Sequence, residues 1–237
     1  MKFSDLRSFL YPNGFGFNQF TLMLSLLVIV SGLWIFIALT DEVMENEQLS
    51  YDQEMLKLMR AGPDNAVPVG PDWLPEKVKE ISALGSTPVL FLVVVSVTGF
   101  LLLRGRYQPA LLIIVATGVG VFVVASAKDW LARPRPDIIP HLVAVSSQSY
   151  PSGHTTMSAV VYLSLAAMLA QLQQRKRVKI YSISIALMVT FLVGLSRVYL
   201  GVHYPSDVLA GWAFGLAWAS LCWISFDWFG NKYLMNK

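Results

Sequence analysis

Cysteine, histidine and charge are all scarce in this chain, and the first and last shortages narrow what it can be. With Cys222 as its one cysteine, an intramolecular disulfide is excluded. That residue lies in the last apolar run, where a thiol serves as a small buried hydrophobe. Only 14% of the 237 residues are charged, against 55% hydrophobic, and the mean hydropathy is +0.55. Those values exclude an ordinary soluble domain and describe a membrane protein. The formal charge of +3 does not point to nucleic acid, because the basic residues fall in short clusters between apolar runs and form no stripe. No small-x-small cleavage site precedes Asp41, and the first apolar run exceeds signal-peptide length, so that run is read as a retained span.

Six apolar runs are long enough to cross a bilayer: 20–39, 88–103, 109–127, 155–172, 180–200 and 208–226. The second is short, and residues 81–85 are expected to lengthen it. Gly211 and Gly215 in the last run are spaced for close helix packing in lipid. The expected fold is therefore all-α, a six-transmembrane helical bundle forming one integral-membrane domain over 1–237. Orientation follows from the turns. Arg104 and Arg106 divide spans two and three, while Arg175, Lys176, Arg177 and Lys179 divide spans four and five. Excess Lys and Arg marks these turns as cytoplasmic, with both termini on the same side, which agrees with Lys2, Arg7, Lys232 and Lys237. The remaining loops then face the extracytoplasmic side of a cytoplasmic (inner) membrane.

The first of those loops, 40–87, sets ten acidic residues against four basic ones, a net charge of −6. Helical pieces are expected around 49–60 and from Pro75 onward, joined by Gly/Pro turns. Two roles stay open for it: a solvated loop with amphipathic helices lying on the membrane, or a lid over a site.

Three polar blocks at the other two outer loops carry the chemistry. Lys128 is followed after six residues by Arg135-Pro136; Tyr150-Pro-Ser-Gly-His154 introduces span four; Ser196-Arg197 is followed by His203 and then Asp207. Ionisable groups beside membrane-length apolar segments are rare and usually functional. In residues, order and spacing, the blocks resemble the signature of the type 2 phosphatidic acid phosphatase superfamily, which also includes class A bacterial acid phosphatases and vanadium haloperoxidases. All eleven defining positions are filled: Lys128, Arg135, Pro136, Pro151, Ser152, Gly153, His154, Ser196, Arg197, His203 and Asp207.

The residue types fit phosphoryl transfer on their own terms. Lys128, Arg135 and Arg197 bring three positive charges to an oxyanion carrying about −1.5 to −2. Ser152 and Gly153 stand where span four begins, so their N–H groups and the helix N-terminus are expected to hold phosphate oxygens. Pro205 suits the first turn of span six, and Asp207 in that turn can reach back to fix the tautomer of His203. The resemblance implies that His203 attacks phosphorus to give a phosphohistidine, and that His154 acts as general acid and then as base for water. It further implies a lipid phosphatase acting on a phospholipid or polyprenyl phosphate headgroup: polyprenyl pyrophosphate such as undecaprenyl pyrophosphate, phosphatidic acid or phosphatidylglycerol phosphate.

Other readings stay open. Transfer of the phosphoryl group to a lipid acceptor needs the same intermediate, and a non-catalytic anion or lipid binder or transporter would use the same cations. A metal at His203 and Asp207 is disfavoured by the three nearby positive charges, so neither metal nor cofactor is expected. Arg133 has two readings, contact with a second phosphate or a lipid-headgroup anchor. Asp129 is read as local charge balance and His141 as a loop residue. Trp130, Tyr150, Tyr199 and Tyr204 read as an interfacial aromatic belt, some of them at the lipid entrance. The signature does not select the substrate lipid, and oligomeric state is not legible.

Overall fold

The computed structural model describes residues 19–45, 49–62, 65–173 and 175–234. The basic residues Lys2, Arg7 and Lys237 and the Pro63-Asp64 part of the loop turn lie outside them. The chain runs α1 (Gln19–Met44), α2 (Ser50–Leu58), β1 (Arg60–Ala61), β2 (Val67–Pro68), α3 (Leu74–Ala83), α4 (Thr87–Leu103) and α5 (Tyr107–Leu131). It continues through α6 (Gly153–Ser158), a π-helical turn (Ala159–Leu163), α7 (Ser164–Leu172), α8 (Lys176–Tyr199) and α9 (Pro205–Leu234). The two strands pair antiparallel, Arg60 opposite Pro68.

Five stretches among the described residues are long and apolar enough to cross a membrane: α1, α5, Gly153–Gln171, α8 and Pro205–Phe226. A sixth is made by α3 and α4 as a pair, bent by 40° at their junction. This is the expected all-helical, multi-pass architecture, with helices in the loop after the first span. Residues 81–85, expected to lengthen the second span, belong partly to α3 and partly to the bend.

Burial separates the helices by role. The span built from α6, the π-helical turn and α7 is mostly buried and stands at the centre. The outer helices keep large apolar side chains exposed, among them Leu27 and Trp34 on α1, Phe91 on α4, Phe122 on α5 and Phe191 on α8. Such a face suits hydrocarbon and not water. Helix α9 approaches the central span very closely: a Cβ at Gly211 would lie 2.8 Å from the Thr156 hydroxyl and 3.1 Å from its amide nitrogen. The small residue there sets the distance between the helices that carry His154 and Asp207.

The acidic loop is anchored to the bundle by a few buried side chains, while most of its described acidic residues stay exposed. Asp52 and Leu56 of α2 are buried, and Leu56 packs with Ile139, Val198 and Val208. Leu74 and Val78 of α3 pack with Leu200 and Val202 from the turn between α8 and α9. Both loop helices thus rest on the same end of the bundle as the three polar blocks.

Candidate active site

Each block is placed by how its helix starts or stops. Helix α5 ends at Ala132, whose left-handed backbone (φ 46°) lets its N–H cap the Lys128 carbonyl at 3.0 Å. Pro134 and Pro136 then bar any further turn, so Arg133 and Arg135 leave the helix in an extended segment. Arg197 lies in the last turn of α8 and is buried. Pro205 opens α9, and Asp207 reaches back to the Tyr204 N–H at 2.9 Å, as an acid in a helix's first turn does in a capping box. That local cap aims the same carboxylate at His203.

Lys128, Arg135, Gly153, His154, Arg197 and His203 line one cavity of about 390 Å³. It lies at one end of the bundle. The basic turns after α4 and α7 lie at the other. Lys79 and Ser82 of α3 also line it, and Ser82 Oγ accepts from Arg197 Nη1 at 2.8 Å. The α3–α4 bend presses against His154: a Cβ at Gly85 would lie 3.0 Å from the His154 carbonyl oxygen and 3.2 Å from its Cβ.

His203 is almost fully buried at the base of the cavity. Its Nδ1 lies 3.3 Å from Asp207 Oδ2, and its Nε2 lies 3.3 Å from Arg135 Nη1. A guanidinium only donates, so Nε2 accepts and Nδ1 carries the proton toward Asp207. Burial pushes the imidazole down to about 4; the Asp207 hydrogen bond opposes this, while Arg197 and Arg135 add to it. The ring is therefore neutral near pH 7, with its lone pair on the cavity side.

Two of the cations are held at their tips by loop carbonyls. Lys128 Nζ donates to the Gln148 carbonyl at 2.5 Å, and Arg135 donates to the carbonyls of Ser147 at 2.7 Å and Val202 at 2.6 Å. Arg197 differs, since its buried Nε has no hydrogen-bond partner. An unpaired buried donor of this kind is costly without a ligand.

Several expectations change. Ser152 is fully buried, its N–H donates to the Asp207 carbonyl at 3.2 Å, and its hydroxyl accepts from Thr155 at 2.9 Å, so it braces the site and does not face the cavity. Gly153 does face it, at the start of α6, where first-turn amides have no intrahelical acceptor. Arg133 meets neither a headgroup nor the cavity: it bonds Asp207 Oδ1 at 2.5 Å and Asp52 Oδ2 at 2.9 Å and lies 4.3 Å over the Tyr204 ring. Tyr150 is fully buried and its hydroxyl pairs with Thr40 at 2.8 Å, so it is not part of an interfacial belt. Tyr199 donates to the Val69 carbonyl at 2.9 Å, whereas Trp130 is exposed as a belt residue should be. His141 bonds the Pro136 carbonyl at 2.6 Å, a loop contact as expected.

Sequence reasoning missed Asp52, Ser82 and Ser149. The Ser149 hydroxyl donates to Asp207 Oδ2 at 2.5 Å. Its one sequence signal is the run Ser146-Ser-Gln-Ser149 directly ahead of the second block.

A family model described as the PAP2 superfamily matches residues 109–231, just over half the chain. The chain belongs to the PAP2 superfamily. Among PAP2 relatives, phosphatidylglycerophosphatase B of Bacillus subtilis is 34% identical over 191 residues, covering 79% of this chain and 89% of that protein. Lipid A 1-phosphatase of Rhizobium etli is 32% identical over 181 residues, covering 65% and 73%. The crystal structure of a transmembrane PAP2-type phosphatidylglycerolphosphate phosphatase from Bacillus subtilis aligns with a TM-score of 0.70 at 30% identity, over 86% of this chain and 96% of that one. The PAP2 match encloses every residue from Lys128 to Asp207, while α1 and the acidic loop precede it.

Proposed function

We propose that this PAP2 protein is a membrane lipid phosphatase that hydrolyses a phosphate monoester or pyrophosphate headgroup through a phosphohistidine at His203. The observation that carries this reading is His203, held by Asp207 and opening onto a cavity lined by Lys128, Arg135 and Arg197. The named activities of the relatives, on phosphatidylglycerophosphate and on lipid A, support a lipid headgroup as substrate. Its acyl or prenyl tail stays in the bilayer while the phosphate enters the cavity.

Substrate oxygens take the guanidinium of Arg135 and so free the lone pair on His203 Nε2. That nitrogen attacks phosphorus as the P–O bond to the lipid breaks, and His154 gives its proton to the leaving oxygen. The positive charge on the ring is stabilised by Asp207. Water then loses a proton to His154 and attacks phosphorus; the P–N bond breaks, returning neutral His203 and releasing inorganic phosphate. Lys128, Arg135, Arg197 and the amides at the start of α6 stabilise the equatorial oxygens in both steps. The basic turns after α4 and α7 lie at the end opposite the cavity, which favours a site on the extracytoplasmic face of the cytoplasmic membrane.

The test is phosphate release by the purified protein in detergent from polyprenyl pyrophosphate, phosphatidic acid and phosphatidylglycerol phosphate, side by side. Wild type is expected to release phosphate from at least one, and His203→Ala from none. A His203→Ala protein with wild-type turnover would refute the nucleophile, and phosphate appearing on a lipid acceptor would make the enzyme a transferase.

A further inference from the structure

The reaction as derived does not use Arg133 or Asp52, yet both are buried directly behind the nucleophile. Only 11% of the Arg133 side chain and 2% of the Asp52 side chain are exposed, and Asp207 is fully buried. Asp207 splits its oxygens between two tasks. Oδ2 faces His203, the Ser149 hydroxyl and the Tyr204 N–H; Oδ1 is bound by Arg133 Nη1. Arg133 Nη2 continues to Asp52 Oδ2, and Asp52 accepts the Ser206 N–H at 2.8 Å and the Ser206 hydroxyl at 2.5 Å. Burial pushes the Asp52 carboxyl up, but every group around its oxygens is a donor, which is the arrangement of a carboxylate.

We propose that Arg133 and Asp52 are positioning residues for the His203 nucleophile, acting through Asp207, so that the first loop is part of the catalytic framework. The inference rests on His203 as the nucleophile. Arg133 fixes the rotation of the Asp207 carboxylate, and with it the direction of the His203 ring. The shared charge matters as much as the geometry. One guanidinium between two carboxylates leaves the cluster one negative charge in excess, and that excess faces a ring that becomes cationic as Nε2 attacks. Without the Asp52 charge, Arg133 would belong to Asp207 alone, and the pair would be neutral toward the developing imidazolium. In a buried site such differences are weakly screened. Two separate loops meet here: Asp52 arrives on α2, and Arg133 on the segment after α5, 81 residues later.

Asp52→Asn tests the charge with little change of shape. It is expected to lower kcat by ~10-fold or more while KM for a short-chain lipid phosphate stays within about two-fold and the protein remains monodisperse in detergent. Phosphoenzyme formation measured in an Asp207→Asn background should show little further loss from Asp52→Asn, since the carboxylate through which it acts is gone. A purely structural role predicts losses that multiply in both backgrounds. Should Asp52→Asn not fold, Arg133→Lys keeps the charge but not the fork and is expected to show the same kcat-selective loss. Wild-type kcat in whichever of the two folds, or multiplying losses, would overturn the proposal. If His203→Ala is inactive while Asp52→Asn is unimpaired, only the positioning role fails; if wild type releases no phosphate, the phosphatase reading itself fails.

Discussion

Acidification tests the state of the proposed nucleophile, His203, without changing a residue. An imidazole in water, titrating near 6.5, is only about 3% neutral at pH 5; one pushed down to about 4 is about 90% neutral there, roughly 30 times more nucleophile. The acid limb of kcat is therefore expected at or below pH 5, not centred near 6.5. Phosphoenzyme formation at saturating substrate, followed from pH 3.5 to 9, reads the acid limb. Because the second ionisation of a phosphate lies at about 6, the series is repeated with a substrate whose phosphate ionises lower: a limb that moves belongs to the substrate, one that stays belongs to the protein. A fixed limb centred near 6.5 would refute the buried neutral histidine. Stability carries the same sign. Unfolded, His203 takes its proton near 6.5, and folded only near 4, so between those values the unfolded chain holds more protons. The stabilisation from burying the neutral ring is complete above about pH 6.5 and declines as pH falls toward 4, by up to ~3 kcal/mol.

Gly85→Ala introduces a Cβ that would meet Val193 Cγ1 at 2.5 Å and the His154 carbonyl at 3.0 Å, displacing the proposed general acid. Turnover of an alkyl phosphate is expected to fall by about 10- to 100-fold, and of an aryl phosphate with a good leaving group far less; equal losses on both would detach Gly85 from His154. Chelation with EDTA should leave phosphate release intact, because the cavity gathers cations; complete loss restored by a divalent ion would overturn this.

The membrane class and the helical fold were legible because apolar runs of spanning length leave few alternatives, and Lys128, Arg135, Gly153, His154, Arg197 and His203 of the cavity lining were legible because they fall in three compact blocks. What was not legible shares a physical cause. Asp52, Ser82 and Arg133 act across the fold, pairing with residues 154, 115 and 74 positions away respectively, and no local period announces such a partner. A loop with net charge −6 reads as solvated, and nothing local sets Asp52, bound by Arg133 and Ser206, apart from its exposed acidic neighbours. Ser152 misled for the opposite reason. Its place before a helix is right for an anion site, but the close approach of α9 commits its amide to Asp207.

The loop carbonyls bound to Lys128 and Arg135 also bear on how turnover ends. They stand where an anion's oxygens would otherwise be needed, so phosphate binding is an exchange of acceptors and not a simple gain of them. A pocket of bare cations would grip inorganic phosphate as firmly as substrate and stall after each cycle. On the proposed reading, the Ser147, Gln148 and Val202 oxygens are in place to take these donors back as phosphate leaves. On that reading the protein carries its own competitor for phosphate, which would keep ground-state affinity modest and leave the cationic site free to favour the transition state.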